Sequence, residues 1–286
     1  MRRVLRDGKE EELGFTVRSR RHPKEVIADL DFADDIALLS DAVAQAQELL
    51  LRVETECARV GLGLNGRKTK YLTYNIDAHP PLVRHTPLVT RNGTTLEEKA
   101  DFKYLGSWVD ETEKDIRVRK GLAWKALNDM DKVWTSDLNP ELKKRFFVAT
   151  VESILIYGCE SWALNDRTEK MLNGTYTRML RRATNVHWSS HTSNEQLYGK
   201  LPVLSDKIAA RRLQLAGHCF RHPELSTQKV VLWEPTHGQR NRGRPRTTFV
   251  DTLKRDTGAT STSELAALMG DREVWRSHVR SRCLAS

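Results

Sequence analysis

Apolar and polar positions follow two different rhythms along this chain. From Val26 to Ser40 the sequence Val-Ile-Ala-Asp-Leu-Asp-Phe-Ala-Asp-Asp-Ile-Ala-Leu-Leu-Ser sets two short apolar runs on either side of a carboxylate pair. That pattern predicts a β-hairpin with Asp34 and Asp35 at its turn. Behind it Ala42, Ala46, Leu49, Leu50, Val53, Cys57 and Val60 recur at helical spacing until Gly61. They predict an amphipathic helix over 41–60, with Ser40 as its N-cap and Asp41 in its first turn. A glycine-rich turn over 62–70 then leads into a short strand, Tyr71 to Tyr74. Residues 76–100 read as loop and hairpin, with Asn92-Gly93 as a turn signal, and Phe102 to Gly106 as a last strand.

After Asp110 the period becomes helical. Ile116, Ala123, Ala126, Leu127, Met130, Val133 and Trp134 form one apolar stripe. Asn139 and Pro140 stand where a cap and a first turn should be, and open a second helix. Its inward face reads as Leu142, Phe146, Ala149, Ile154 and Tyr157. Further basic helices are expected over 167–183 and 205–220. Strands first and helices afterwards predict an α+β unit joined to an all-helical one.

Composition narrows the class. Of 286 residues, 39% are apolar, enough for a real core, and the formal net charge is +9. No run approaches the roughly 18 apolar residues of a membrane span. Cys57, Cys159, Cys219 and Cys283 lie far apart without a C-x-x-C pair, and the N-terminus lacks an apolar signal region. Reduced thiols and an intracellular setting, nucleus or cytoplasm, are therefore expected.

The charge is uneven. Residues 211–246 hold eight Lys or Arg against Glu224 and Glu234, so this segment carries six of the nine net charges. Such a cluster is either a solvated surface or a polyanion site that gains affinity by releasing counterions from phosphates. Within it Arg240, Arg242, Arg244 and Arg246 form a flexible run with Gly243 and Pro245, and guanidinium forks suit phosphate. With Arg211 and Arg212 they are the candidate nucleic-acid-binding residues. His218, Cys219, His222 and His237 lie near one another in sequence, but their spacing matches no common zinc site.

Asp34 and Asp35 carry the candidate chemistry. By itself an Asp-Asp pair reads as a solvated hairpin tip or a capping acid. Two adjacent carboxylates in an apolar setting otherwise need compensation, and a hard cation such as Mg²⁺ supplies it. Phe32-Ala33-Asp34-Asp35-Ile36-Ala37-Leu38-Leu39-Ser40 resembles the aromatic-x-Asp-Asp catalytic hairpin of reverse transcriptases of non-LTR, LINE-type retrotransposons. In that family the hairpin is followed by a helix, an Asn-x-x-Lys-Thr turn and a primer-grip strand. Here the same order runs through helix 41–60, Asn65-Gly66-Arg67-Lys68-Thr69 and Phe102-Lys103-Tyr104-Leu105-Gly106. The segments Tyr157 to Leu164, Ala216 to Arg221 and Arg242 to Arg246 are similar to LINE-type segments beyond the thumb. Within the family, RTE-like elements are the nearer resemblance.

The resemblance implies specific roles. Asp34 and Asp35 would be catalytic metal-site carboxylates for Mg²⁺, and Lys68 a cation near the leaving pyrophosphate. Tyr104, Leu105 and Gly106 would grip the primer. The implied fold class is α+β: a partial reverse-transcriptase palm of short antiparallel strands plus a helix at 1–110. A helical thumb at 111–165 and a basic helical C-terminal region at 166–286 would follow. The partners would be an RNA template and a DNA primer or target DNA. This family also needs fingers and a third carboxylate from an earlier strand, and no such strand motif stands among the 33 residues before Asp34. A two-metal clamp would then be incomplete. Two expectations follow. The chain is part of an RNA-directed DNA polymerase, inactive alone, or it is a non-catalytic module that binds RNA or DNA.

Overall fold

The computed structural model describes residues 14–17, 25–73, 86–109, 112–224, 227–233 and 247–284. The chain divides into two compact units. One comprises Met1–Val109 with Trp233–Gly238, the other Asp110–Leu232 with Gln239–Ser286.

The first unit is built from strand pairs. β1 (Phe15–Val17) pairs antiparallel with β2 (Glu25–Ile27), and β3 (Asp29–Phe32) antiparallel with β4 (Asp35–Leu38). Helix α1 (Val43–Arg59) follows and buries Leu49, Leu50 and Val53. The expected cap is displaced by two residues. Ala42 is the N-cap, Ser40 instead donates its hydroxyl to the Ala42 carbonyl at 3.0 Å, and Asp41 accepts from the Thr16 amide at 3.1 Å. The extended backbone after β4 uses both polar side chains before the helix begins. Gly61 ends the helix at φ +75° as its sequence position suggests.

β5 (Lys70–Tyr71) pairs parallel with β6 (Glu97–Glu98), and β7 (Lys103–Tyr104) antiparallel with β8 (Ser107–Trp108). Leu50, Leu88 and Leu96 make the small buried core here, with Leu38, Val43, Ala46, Leu64 and Tyr71 packed around it. Gln47 ties the 86–96 hairpin to α1. Its amide donates to the Val89 carbonyl at 2.7 Å and accepts from the Val89 N–H at 2.8 Å. A side chain thus completes both backbone groups of a residue that a neighbouring strand would otherwise serve.

The second unit is helical among its described residues. Its helices begin with α2 (Thr112–Asp129), α3 (Asp131–Trp134) and α4 (Pro140–Phe147), which runs through a π-helical turn (Val148–Glu152) into α5 (Ser153–Leu155). Then come α6 (Asp166–Ala183), α7 (Asn194–Tyr198), α8 (Leu204–Arg221), α9 (Thr227–Val230), α10 (Phe249–Thr257), α11 (Thr262–Gly270) and α12 (Arg272–Leu284). Side-chain caps set several starts. Asn139 accepts from the Glu141 amide, and reciprocal capping boxes open α6 (Asn165, Thr168), α7 (Ser193, Gln196) and α10 (Thr248, Asp251).

The inward face of α4 differs from the expectation by one residue. Lys143, Phe147, Val151 and Leu155 are buried, whereas Leu142, Phe146 and Tyr157 are exposed. An α-helix of about 3.6 residues per turn rotates an every-fourth-residue stripe steadily around its axis. The wider π turn takes up that rotation and keeps the stripe on one side. Lys143 hides this phase in the sequence. Its ammonium is turned inward to donate to the Trp134 carbonyl at 2.7 Å.

Two hydrophobic clusters share helix α8. Leu204 and Ile208 belong to a core that also holds Ile116, Leu127, Trp134, Phe147, Trp162 and Tyr176. Leu213 and Ala216 belong to the other, with Leu253, Leu265, Met269 and Trp275. The first core runs across residue 165, so the segments expected as thumb and C-terminal region pack as one body rather than as separate domains. Gly217 is required on α8, because the Trp275 indole occupies the space a side chain would need and donates to the Leu213 carbonyl at 2.8 Å.

Candidate functional site

The Asp-Asp hairpin forms with Phe32 opposite Asp35, leaving Ala33 and Asp34 as a two-residue turn. Ala33 takes φ +55°, the left-handed region a tight hairpin turn demands. Asp34 and Asp35 both stand exposed at the tip, and Phe32 beside them is 63% exposed. The Asn-x-x-Lys-Thr segment is a closed turn. The Lys68 amide donates to the Asn65 carbonyl at 3.0 Å and to its side-chain oxygen at 3.2 Å, and the Thr69 hydroxyl donates to the same carbonyl. Lys68 is exposed, and among the described residues it pairs with neither Asp34 nor Asp35.

The segment after it brings two motifs together. Tyr104 donates its hydroxyl to the Leu30 carbonyl at 3.0 Å, across 74 residues of sequence. The Tyr104 strand therefore docks on the hairpin that carries the acids. Leu105 and Gly106, expected in that strand, are instead its turn. They take φ +48° and +86°, and β8 returns beside β7. This two-residue turn has left-handed backbone at both central positions, a conformation no strand residue adopts.

The metal expectation meets a deficit at this tip. Among the described residues no group of three or more His, Cys, Asp or Glu side chains could hold an ion. Asp34 and Asp35 alone, without a third acid grouped with them among the described residues, do not make up a two-ion clamp. His218 and His222 stack with ring centroids 4.3 Å apart, and His222 Nδ1 lies 2.6 Å from Glu224, so these rings are engaged with each other and with an acid. His237 lies outside the described residues.

No family model matches this chain. A putative uncharacterized transposon-derived protein of Caenorhabditis elegans is 24% identical over 269 residues, which cover 89% of this chain and 95% of that protein. The RNA-directed DNA polymerase from mobile element jockey of Drosophila funebris is 24% identical over 211 residues, 70% of this chain. The chain is of retrotransposon origin. It spans only 22% of the jockey polymerase's length, and no solved structure matches it.

In this retrotransposon-derived chain the expected basic residues divide. Arg240, Arg242, Arg244 and Arg246 lie outside the described residues. Arg211 is partly exposed and stands 3.4 Å from Glu160. Arg212 is a correction, because it is 1% exposed and serves the interior. It donates twice to Asp256, at 2.9 and 2.7 Å, and once to the Trp162 carbonyl at 2.8 Å. A guanidinium buried this way cannot reach a phosphate. Its charge is neutralised in place, as a buried charge must be.

The segments around Trp162 and Arg221 thus acquire a physical meaning. Trp162 donates its indole N–H to buried Asp115 at 2.9 Å while its carbonyl receives Arg212. Glu152 accepts from Tyr176 at 2.8 Å and pairs with Lys207. Arg221 reaches the Met269 carbonyl at 3.0 Å. Burial pushes the Cys159 thiol up to about 12, so it stays protonated as a small core side chain. The residues that sequence reasoning missed are Asp115, Glu152 and Asp256, acids that periodicity alone assigns to solvent. The available signal was their pairing in register with aromatic and basic neighbours, visible only across long separations.

Proposed function

We propose that this chain corresponds to the late palm, thumb and basic helical region of a non-LTR reverse transcriptase, and that it holds nucleic acid without extending it. The observation that carries the reading is the contact of Tyr104 with the strand of the Asp34–Asp35 hairpin. The resemblance expects the catalytic hairpin and the primer-grip strand to work on one primer end, and a hydrogen bond between the two segments supports that reading. Similarity to 22% of an RNA-directed DNA polymerase supports the same lineage. The absence of chemistry in the isolated chain rests on the exposed pair Asp34 and Asp35, which lacks a third carboxylate among the described residues. Mg²⁺ would be held there only if another strand supplied that acid.

Holding nucleic acid follows from the charge. Six of the nine net charges lie in residues 211–246, and the cations there other than buried Arg212 would give phosphate contacts with little sequence preference, to an RNA template, a DNA primer or target DNA. The test has two arms. Primer extension on an RNA template should yield no product with Mg²⁺ or Mn²⁺, and extension abolished by Asp34→Ala would overturn the inactive reading. Fluorescence anisotropy of a labelled RNA–DNA hybrid should show binding that falls linearly in a log–log salt plot. Replacing Arg240, Arg242, Arg244 and Arg246 by Ala should flatten that slope by about two to four units. A chain that binds neither RNA nor DNA would sink the proposal.

A further inference from the structure

We infer that the helical unit carries a second phosphate-binding track, formed by two basic clefts on either side of the Thr177–Tyr198 hydrogen bond. This deepens the proposed nucleic-acid-holding function and rests on it. The first cleft, about 490 Å³, is lined by Arg178, Arg181 and His191 with Val186 and Thr192. The second, about 330 Å³, is lined by Lys144, Arg145 and Lys200, with Tyr198 and Leu201 as apolar wall. Thr177, next to Arg178, shares a 2.8 Å hydrogen bond with the Tyr198 hydroxyl, which ties the helix of the first cleft to the wall of the second.

The local charge is one-sided. Between Glu169 and Glu195 the sequence contains Lys170, Arg178, Arg181 and Arg182 and no acid. Two acids offset part of this charge: Asp131 pairs with Arg182 at 3.2 Å, and within the second cleft Glu141 pairs with Lys144 at 3.1 Å. Arg145, Arg178 and Lys200 remain exposed along the track.

The loop that shapes the first cleft is held in an uncommon conformation. Asn185 and His191 take φ +55° and +50° without being glycine. Such backbone persists only where its surroundings determine it. Arg181 provides the hold by donating to the Thr192 carbonyl at 2.7 Å and to Asn194 at 3.0 Å. Arg178 makes its hydrogen bond within its own helix, to Gly174 at 3.3 Å, which leaves its fork beside open solvent. Two shallow, successive, basic clefts with apolar walls fit an extended polyanion that presents phosphates at intervals and sugars between them. A compact anion would need one enclosed site. A nucleic-acid strand is therefore the occupant.

The test uses the full chain and labelled single-stranded RNA, with the RNA–DNA hybrid in parallel. In Arg145→Glu/Arg178→Glu/Lys200→Glu, Arg181 is kept because it holds the loop. Affinity should fall at least about tenfold, and the log–log salt slope should flatten by roughly two units, as expected when about three phosphates are released. The melting temperature should stay at the wild-type value. Should charge reversal lower the melting temperature, the Gln variants of the same three positions should reproduce the loss in smaller measure. Wild-type binding with an indifferent triple variant, while the Arg240–Arg246 substitutions still flatten the slope, overturns this inference alone. A wild-type chain that binds no nucleic acid overturns the proposed function and this inference together. Competition by an acidic polypeptide, with no competition by RNA, would assign the clefts to a protein partner and refute the inference.

Discussion

In the strand-bearing unit each described strand has one partner, and among the described residues Leu50, Leu88 and Leu96 form the buried cluster beneath α1, which also buries Leu49 and Val53. In the helical unit, α8 alone serves two cores, and ion pairs such as Arg212–Asp256 lie inside the packing. Two-stranded sheets are marginal by themselves and draw their stability from what they pack against. The hairpin with Asp34 and Asp35 leaves Phe32 and Leu30 exposed, as a strand pair does when its apolar face lacks a neighbour. The contrast shows which part of the chain is self-sufficient. The helical unit closes its own core, whereas in the acid-bearing unit Leu30 and Phe32 stay exposed beside the acids.

The largest test of this contrast is Arg212. Arg212→Ala leaves Asp256 buried and without its partner, and should cost about 3–5 kcal/mol. Replacing both residues together by apolar side chains of similar volume should recover most of that loss. Thermal unfolding of the full chain, followed by hydrogen exchange to separate the units, reads the difference. The loss should fall on α8, α10 and α12 amides and leave α1 nearly untouched. Equal losses in both units would remove the distinction between them.

Adjacent phenylalanines sharpen the account of the helical core. Phe147 is fully buried against Tyr176, with ring centroids 5.4 Å apart, and Phe146 is 41% exposed. Phe147→Ala should cost about 3–5 kcal/mol, and Phe146→Ala should stay within about 0.5 kcal/mol. Denaturant titrations of the two variants decide it. Similar losses would show that the inward face of α4 has the phase that the sequence pattern predicts, not the one with the π turn.

The smallest effect belongs to the strand-bearing unit and depends on pH. Hydrogen bonds from Lys70 and then Lys99 hold the Glu97 carboxyl down from 4.5 to about 2. A carboxylate lowered on folding stabilises above its unfolded value and loses that contribution as pH falls through the folded one. The β5–β6 pairing should therefore loosen as pH drops from 4.5 to about 2. Solvent screens this exposed group, so the change should be slight and local. Hydrogen exchange at the Lys99 amide, taken as the ratio of wild type to Glu97→Gln at each pH, measures it. A ratio that does not change with pH would remove the salt link from the account.

Much of the local structure was legible in residue order. The hairpin around Asp34 and Asp35, the start of α4 at Asn139-Pro140, helix α6 and helix α8 follow from period, caps and turn residues, because those signals act over a few positions. The Asn65 turn and the Asn92-Gly93 turn are equally local. What only the tertiary structure decided lies at longer range. Leu105 and Gly106 leave the strand because β8 pairs with β7. Lys143 joins the inward face of α4 because its ammonium finds the Trp134 carbonyl. Arg212, which reads as a phosphate ligand in a basic segment, becomes an interior cation because Asp256 and Trp162 converge on it from 44 and 50 residues away. Charge counted along a chain reports composition, but whether a guanidinium meets water or a buried carboxylate depends on which distant segments fold against it.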